Sequence, residues 1–397
     1  MERRKFIKIA GTGAVAGFIS DGISVLPAYR SGEISRHKIT DIRFTTIKLK
    51  YPRLVGKNSR LDIHGWGPET GIHILYTDKG ASGWGLNRSS QKALAEKFEV
   101  IKGKTISELL IPATGVISPE YEGFDFSLYD LAGKVLDKPV YKLLGKRKPE
   151  TQLCYSGMIY FDDLEPAEKP SGVSKILEEC LWDYSYGYRQ FKLKIGRGNK
   201  WMDKEKGLLR DIEVTKLVSK NFPDCGILVD GNNGFTIDEF IKYLEGIEGT
   251  KLFWIEEPFH ETIEDYAKLH SWLVTHNLDP LLADGEAKPD DEVLKQLGSQ
   301  RILRVYLQDI AGFGFTRWIR FIKDIKARGL LASPHAWGSA IKTNYIAHLA
   351  GAFGSTATIE GVTCTSDDVD LTDYKLKKGK LIPSSKPGFG MELIKKV

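Results

Sequence analysis

"QFKLKIG", Gln190 to Gly196, sets two lysines, Lys192 and Lys194, on either side of a leucine in a run that otherwise reads as a buried strand. Side chains alternate along a strand, so both ammonium groups face the same way. Working outward, similar apolar runs recur: "QLCYSGMIY" (152–160) before it, then "GILVDGNN" (226–233), "LFWIEEP" (252–258), "PLLADGE" (280–286), "LRVYLQDI" (303–310), "LLASPHAW" (330–337) and "TATIEG" (356–361). Helix-like stretches fill most of the gaps. Alternating strand and helix units predict a parallel sheet, and eight of them predict a closed (β/α) barrel. Lys194, Asp230, Glu256, Glu286, Asp309, His335 and Glu360 stand at successive strand ends, 36, 26, 30, 23, 26 and 25 residues apart. In a barrel those ends converge on one mouth, where active sites form.

The residue types at that mouth suggest a chemistry. Asp230, Glu256 and Glu286 on consecutive strands would repel one another without a cation. With Mg²⁺ they form an all-oxygen site that leaves positions for water and substrate. Asn232 shares the Asp230 face and is expected to support metal or substrate, while Glu257 points elsewhere. Each ammonium of the Lys192/Lys194 pair is expected to lower the other's pKa, with burial adding to the effect. Lys194, nearer the strand end, is then the proton acceptor, tuned by Lys192, which also holds the substrate carboxylate. Across the mouth, Asp309 behind His335 makes a base or acid of fixed tautomer and raised basicity. Glu360, if protonated, would donate to a developing enolate oxygen. The set suits removal of a proton next to a carboxylate, with a divalent metal stabilising the enolate.

Upstream, "ITDIRFTTIKLKY" and "GIHILYTDKGASGWG" predict antiparallel strands, with helices around 91–110 and 124–137. The loop between the strands, "PRLVGKNSRLDIHGWGPET", carries Arg53, Lys57, Asn58, Arg60 and His64. These are expected to reach over the mouth and bind hydroxyls or a second carboxylate, with Leu54 and Trp66 as apolar contacts. The first thirty residues, with Arg3-Arg4 ahead of a short Gly/Ala-rich run, predict a twin-arginine export leader and a periplasmic or exported protein without a stable membrane anchor. Among 397 residues the net charge is only +5, and no basic stripe with interleaved aromatics offers a nucleic-acid surface. The four cysteines are dispersed and form no CxxC pair, so neither a zinc site nor a disulfide framework is indicated.

"KLK", "DGNN", "IEEP", "DGE", "QDI…G", "SPH" and "IEG", in this order and spacing, resemble the enolase superfamily, specifically its mandelate racemase subgroup. A Lys or His base beside Mg²⁺ is the known arrangement of such sites. The resemblance spans about residue 38 to the end. It implies a modified (β/α)7β TIM barrel over 149–361 and an α+β capping domain over 38–148, completed by 362–397. It also implies Asp230, Glu256 and Glu286 as Mg²⁺ ligands, Lys194 and the His335–Asp309 dyad as acid/base groups, Glu360 as enolate stabiliser, and a homo-oligomer. "YLQDI" lacks the lysine that relatives of muconate cycloisomerase and dipeptide epimerase carry there. It also lacks the proline often found before the aspartate, and "AGFGF" splits the usual glycine pair. The favoured reaction is dehydration of a sugar acid to a 2-keto-3-deoxy acid. A racemase or epimerase of 2-hydroxy acids and an inactive periplasmic sugar-acid binding protein are the alternatives.

Overall fold

The computed structural model describes residues 32–286 and 288–397, so the expected leader lies outside the described residues. The first elements form an antiparallel sheet, β1 (Ile39–Lys48), β2 (Glu69–Thr77) and β3 (Ser82–Leu86). β2 and β3 are joined by a tight turn at Gly80, φ +78°. The region expected as one helix over 91–110 is two, α1 (Gln91–Ile101) and α2 (Ile106–Leu109). Gly103, at φ +79°, ends the first. Thr105 then restarts the chain with a capping box to Glu108. A small hairpin of β4 (Leu110–Ile111) and β5 (Gly115–Val116) follows, then α3 (Asp125–Val135) and α4 (Val140–Leu143). α3 packs against β3, and its residues Asp125 to Gly133 are all buried.

The eight expected barrel strands are all present. They are β6 (Gln152–Ile159), β7 (Gln190–Lys194), β8 (Gly226–Asp230), β9 (Leu252–Glu256), β10 (Leu281–Asp284), β11 (Val305–Tyr306), β12 (Leu331–Ala332) and β13 (Ile359–Gly361). α5 (Val173–Tyr186), α6 (Lys204–Asn221), α7 (Ile237–Gly246), α8 (Ile263–Thr275), α9 (Asp291–Ser299), the pair α10 (Ile310–Phe313) and α11 (Phe315–Ala327), and α12 (Ala340–Phe353) fill the seven gaps. Neighbouring strands pair in parallel from β6 through β12, and β13 pairs with β6. A parallel bridge between Ala332 and Thr356 closes the ring. The fold is therefore a (β/α)7β barrel with an N-terminal cap.

Strand alternation decides what faces inward. Tyr155, Leu228, Trp254, Ala283, Val305 and Leu307 form one buried cluster that fills the barrel interior. Phe191, Leu193, Ile227, Val229 and Ile255 belong to the large cluster shared with the helices. Each such side chain contributes about 1.5–3 kcal/mol on burial. Because Lys194 pairs with Asp230, and Asp230 with Glu256, the charged strand ends lie level with one another.

The C-terminal tail divides. Thr365 bridges to Lys50, β14 (Val369–Asp370) pairs with β17 (Glu392–Leu393), and the Met391 carbonyl accepts from Trp84 Nε1 of the cap. Between them, β15 (Lys375–Lys377) and β16 (Lys380–Ile382) form a hairpin that adds antiparallel to the N-terminal end of β6. The tail thus serves the barrel as well as the cap. No helix among the described residues is long and apolar enough to cross a membrane.

Candidate active site

Asp230, Glu256 and Glu286 converge as expected, each offering an oxygen within 4.8 Å of the others. Asp230 and Glu256 end their strands on the inward face and are fully buried. Glu286 arrives differently. Asp284 ends β10 facing outward and accepts from Tyr266 of α8. Gly285, at φ +112°, then turns the chain so that Glu286 enters the mouth. Its N–H donates to Glu257 Oε1 at 3.2 Å. Glu257 therefore sits outside the cluster but positions one of its members.

Both lysines reach the carboxylates. Lys194 Nζ lies 2.5 Å from Asp230 Oδ2, and Lys192 Nζ lies 2.8 Å from Glu256, 3.1 Å from Asp230 and 3.2 Å from Glu360. This corrects the expectation for Lys192. Burial pulls its pKa down, but Glu256 and Glu360 outweigh burial, and the net direction is up. Asp230 is held well below the carboxylate range because the two lysines overrule its burial. Glu256 is pushed up by burial and by Asp230.

Glu360 is also corrected. Burial would favour its acid form, but Lys192, His335 and the Ala336 N–H, which donates to its Oε2 at 2.5 Å, keep it ionised. It anchors Lys192 and the 335–336 turn. A Cβ at residue 157 would lie 2.8 Å from Glu360 Oε1, so Gly157 is the space this carboxylate needs.

On the far side, His335 Nδ1 meets Asp309 Oδ2 at 3.0 Å and Nε2 meets Glu286 Oε1 at 3.1 Å. Burial lowers the pKa of His335, but Glu286, Glu360 and Asp309 raise it further, so the net direction is up. Asp309 caps α10 through the Ala311 and Gly312 N–H groups and pairs with Lys342 Nζ at 2.7 Å. Burial opposes its charge, yet His335 and Lys342 hold it well below the carboxylate range. Lys342, on α12, was missed in the sequence, since a lysine seven residues beyond a histidine carries no recognisable signal. α12 turns it back onto the dyad.

The loop residues separate into two groups. Arg53 is corrected. Its guanidinium forms a bidentate pair with buried Asp183, at 2.8 and 2.9 Å, and donates to the Met158 carbonyl, so both terminal nitrogens are engaged inward, while Nε is buried without a hydrogen-bond partner. Lys57 is corrected too, pairing with Glu165 at 2.7 Å and lying over the Trp201 ring. Asn58 is buried and caps its own turn through the Arg60 and Leu61 N–H groups. Ser59 Oγ donates to the Gly231 carbonyl and Trp201 Nε1 donates to that of Asn58, which pins the loop to the ends of β7 and β8. Arg60 stays exposed and meets His260 Nε2. His64 packs on the Lys194 side, between Tyr160 and Trp337. Leu54 is half-buried and Trp66 is exposed.

Asn58, Arg60, Asn232 and Glu286 line a cavity of about 370 Å³ beside the carboxylates. A larger cavity, about 720 Å³, lies at the opposite end of the barrel strands and holds none of this set. Buried Glu256 Oε2, Glu286 Oε2 and Asn232 Oδ1 have no hydrogen-bond partner. Orphaned oxygens of this kind, all hard donors, fit a Mg²⁺ ion.

Comparison with known proteins agrees with this geometry. Residues 176–397, more than half of the chain, match the family model described as Enolase C-terminal domain-like. The chain is 24% identical over 282 residues, 70% of each protein, to the arabinonate dehydratase of Saccharolobus solfataricus. The galacturonate dehydratase of a Geobacillus species, solved with D-galacturonate and 5-keto-4-deoxy-D-galacturonate, superimposes with a TM-score of 0.84 at 28% identity, covering 91% of this chain and 95% of that one. A mandelate racemase/muconate lactonizing protein from Geobacillus sp. Y412MC10, solved with magnesium and tartrate, gives a TM-score of 0.85 at 28% identity, over 92% and 95%. Racemases and cycloisomerases are also among the matches. The barrel, the cap and the three-carboxylate mouth thus have one family context: the chain belongs to the enolase superfamily, in its mandelate racemase subgroup.

Proposed function

We propose that the protein dehydrates a sugar acid to the 2-keto-3-deoxy acid. The observation that carries this reading is the placement of Lys194 and the His335–Asp309 dyad around one carboxylate cluster with orphaned oxygens. Asp230, Glu256 and Glu286 would hold Mg²⁺, whose charge competes for the carboxylates that pair with the lysines and stabilises the enolate as it forms. Lys194 Nζ, as the free amine, accepts the proton from the carbon α to the substrate carboxylate. Lys192 balances the charge of that carboxylate. His335 delivers a proton from Nε2 to the β-hydroxyl, which leaves as water. Asp309 accepts from Nδ1–H throughout, so the ring stays oriented as it passes from imidazolium to neutral imidazole. The resulting enol ketonises at the α-carbon and is protonated at the β-carbon.

The similarity to sugar-acid dehydratases supports this reading. The test is incubation with Mg²⁺ in D₂O against a panel of sugar acids, followed by NMR. Loss of the α-proton signal with a 2-keto-3-deoxy product is expected. α-Deuteration without elimination would make the protein a racemase or epimerase, and no exchange with any substrate would refute both. Export through the Arg3-Arg4 leader belongs to the same proposal, and the N-terminus and cell fraction of the mature protein test it.

A further inference from the structure

Lys342 is a lysine that its own helix does not favour. It is the third residue of α12, after the Ser339 cap, where the helix dipole disfavours a cation. Its side chain is largely buried and makes one ion pair among the described residues, to Asp309 Oδ2 at 2.7 Å. The same ammonium donates to the carbonyl of Trp337, two residues beyond His335, at 3.2 Å. Asp309 is saturated as a result. Its Oδ1 accepts from the Ala311 N–H at 2.9 Å and the Gly312 N–H at 2.7 Å. Its Oδ2 accepts from Lys342 and from His335 Nδ1, 3.0 Å away. A carboxylate offers about four acceptor sites. Four donors therefore leave it no freedom to turn and no place for a competing water. The two backbone donors fix only Oδ1, whereas Lys342 fills the remaining site on the oxygen that orients the imidazole.

We propose that Lys342 is a positioning residue of the reaction, holding Asp309 Oδ2, and through it the His335 ring, for delivery of a proton to the leaving hydroxyl. The inference rests on the proposed function and divides its two proton transfers. Lys194 is paired with Asp230 and shares no partner with Lys342. Removal of the α-proton does not pass through Asp309, so Lys342 serves the elimination and not the abstraction.

The Nδ1–H proton of His335, assigned by its loss in H335N, is read first by NMR, in the Mg²⁺-loaded protein without substrate. In the wild type it should exchange slowly with water. K342M, which opens Oδ2 to water, should speed that exchange by about tenfold or more, as for one lost charged hydrogen bond. K342R should restore part of the protection. Kinetics follow on whichever of D-arabinonate, D-xylonate and D-galacturonate turns over. K342M should lower kcat for elimination by about 10- to 100-fold, as for a misplaced catalytic group, with KM and α-proton exchange in D₂O little changed. In a D309N background the same substitution should cost nothing further, because its effect passes through Asp309. K342Q, which keeps a neutral donor, replaces K342M if that variant does not fold. Unchanged Nδ1–H exchange, or a loss as large in D309N as in the wild type, would overturn the inference even if the protein is a dehydratase. So would an equal fall in elimination and α-proton exchange. Failure of all three sugar acids would sink the proposed function, and the elimination step assigned to Lys342 with it.

Discussion

Replacing Arg53 by methionine separates a structural arginine from a substrate-binding one. The guanidinium makes two hydrogen bonds to a carboxylate with no exposure, Asp183, and a third to the Met158 carbonyl. Asp183 would keep only the Ser156 hydroxyl, 2.6 Å away, as a side-chain donor. Breaking one partner of a buried pair costs about 3–5 kcal/mol. Against a total stability of about 5–15 kcal/mol this is a large fraction. Urea denaturation at pH 7 measures it, alongside KM for the sugar acid that turns over. The expected result is a markedly lower midpoint and a small change in KM for molecules that remain folded. Unchanged stability with a tenfold or larger rise in KM would refute the reasoning and return Arg53 to the substrate.

Further outcomes follow from the same geometry. H335N should abolish elimination, by roughly 10²–10⁴-fold as for loss of a general acid or base, while Lys194-driven α-proton exchange in D₂O persists; equal loss of both would assign the abstraction to the histidine. Mg²⁺ at a hundred times its Kd should stabilise the protein by about 2.7 kcal/mol in thermal unfolding, and E256Q should remove that gain. His73, buried between Asn87 and Ser127, has its pKa lowered by burial to about 4. Because the unfolded ring takes its proton near 6.5 and the native ring only near 4, this residue costs stability as pH falls through that window, by up to about 3 kcal/mol. Asp125, Asp162 and Asp211, each raised to about 6 by burial, act with the opposite sign. The measurement is therefore the H73Q-minus-wild-type difference, which should shift in the variant's favour by that amount between pH 6.5 and 4; a difference flat with pH would show the ring already charged.

The barrel was legible because its evidence is local and periodic. "QFKLKIG" alone says that Lys192 and Lys194 share a face, and seven further strands of the same kind place Asp230, Glu256, Asp309, His335 and Glu360 at one mouth. Alternation and unit spacing are properties of neighbouring residues, and they survive folding unchanged. Glu286 was placed by spacing too, although its entry depends on the turn at Gly285. The break at Gly103 was less legible, since the apolar pattern of 91–110 runs across it and only the left-handed backbone ends the helix.

What the sequence determined by itself was the architecture, the order of the ionisable groups and the carboxylate set suited to a divalent cation. The tertiary structure alone decided which charges remain free. Arg53 meets Asp183 across 130 residues of chain, Lys342 meets Asp309 across 33, and Trp337 meets His64 across 273. Pairing, burial and tautomer depend on distances between segments that no local pattern encodes. For the same reason Glu360 is a carboxylate anchored by Lys192 and the Ala336 N–H, and the Arg53 guanidinium is turned inward onto Asp183.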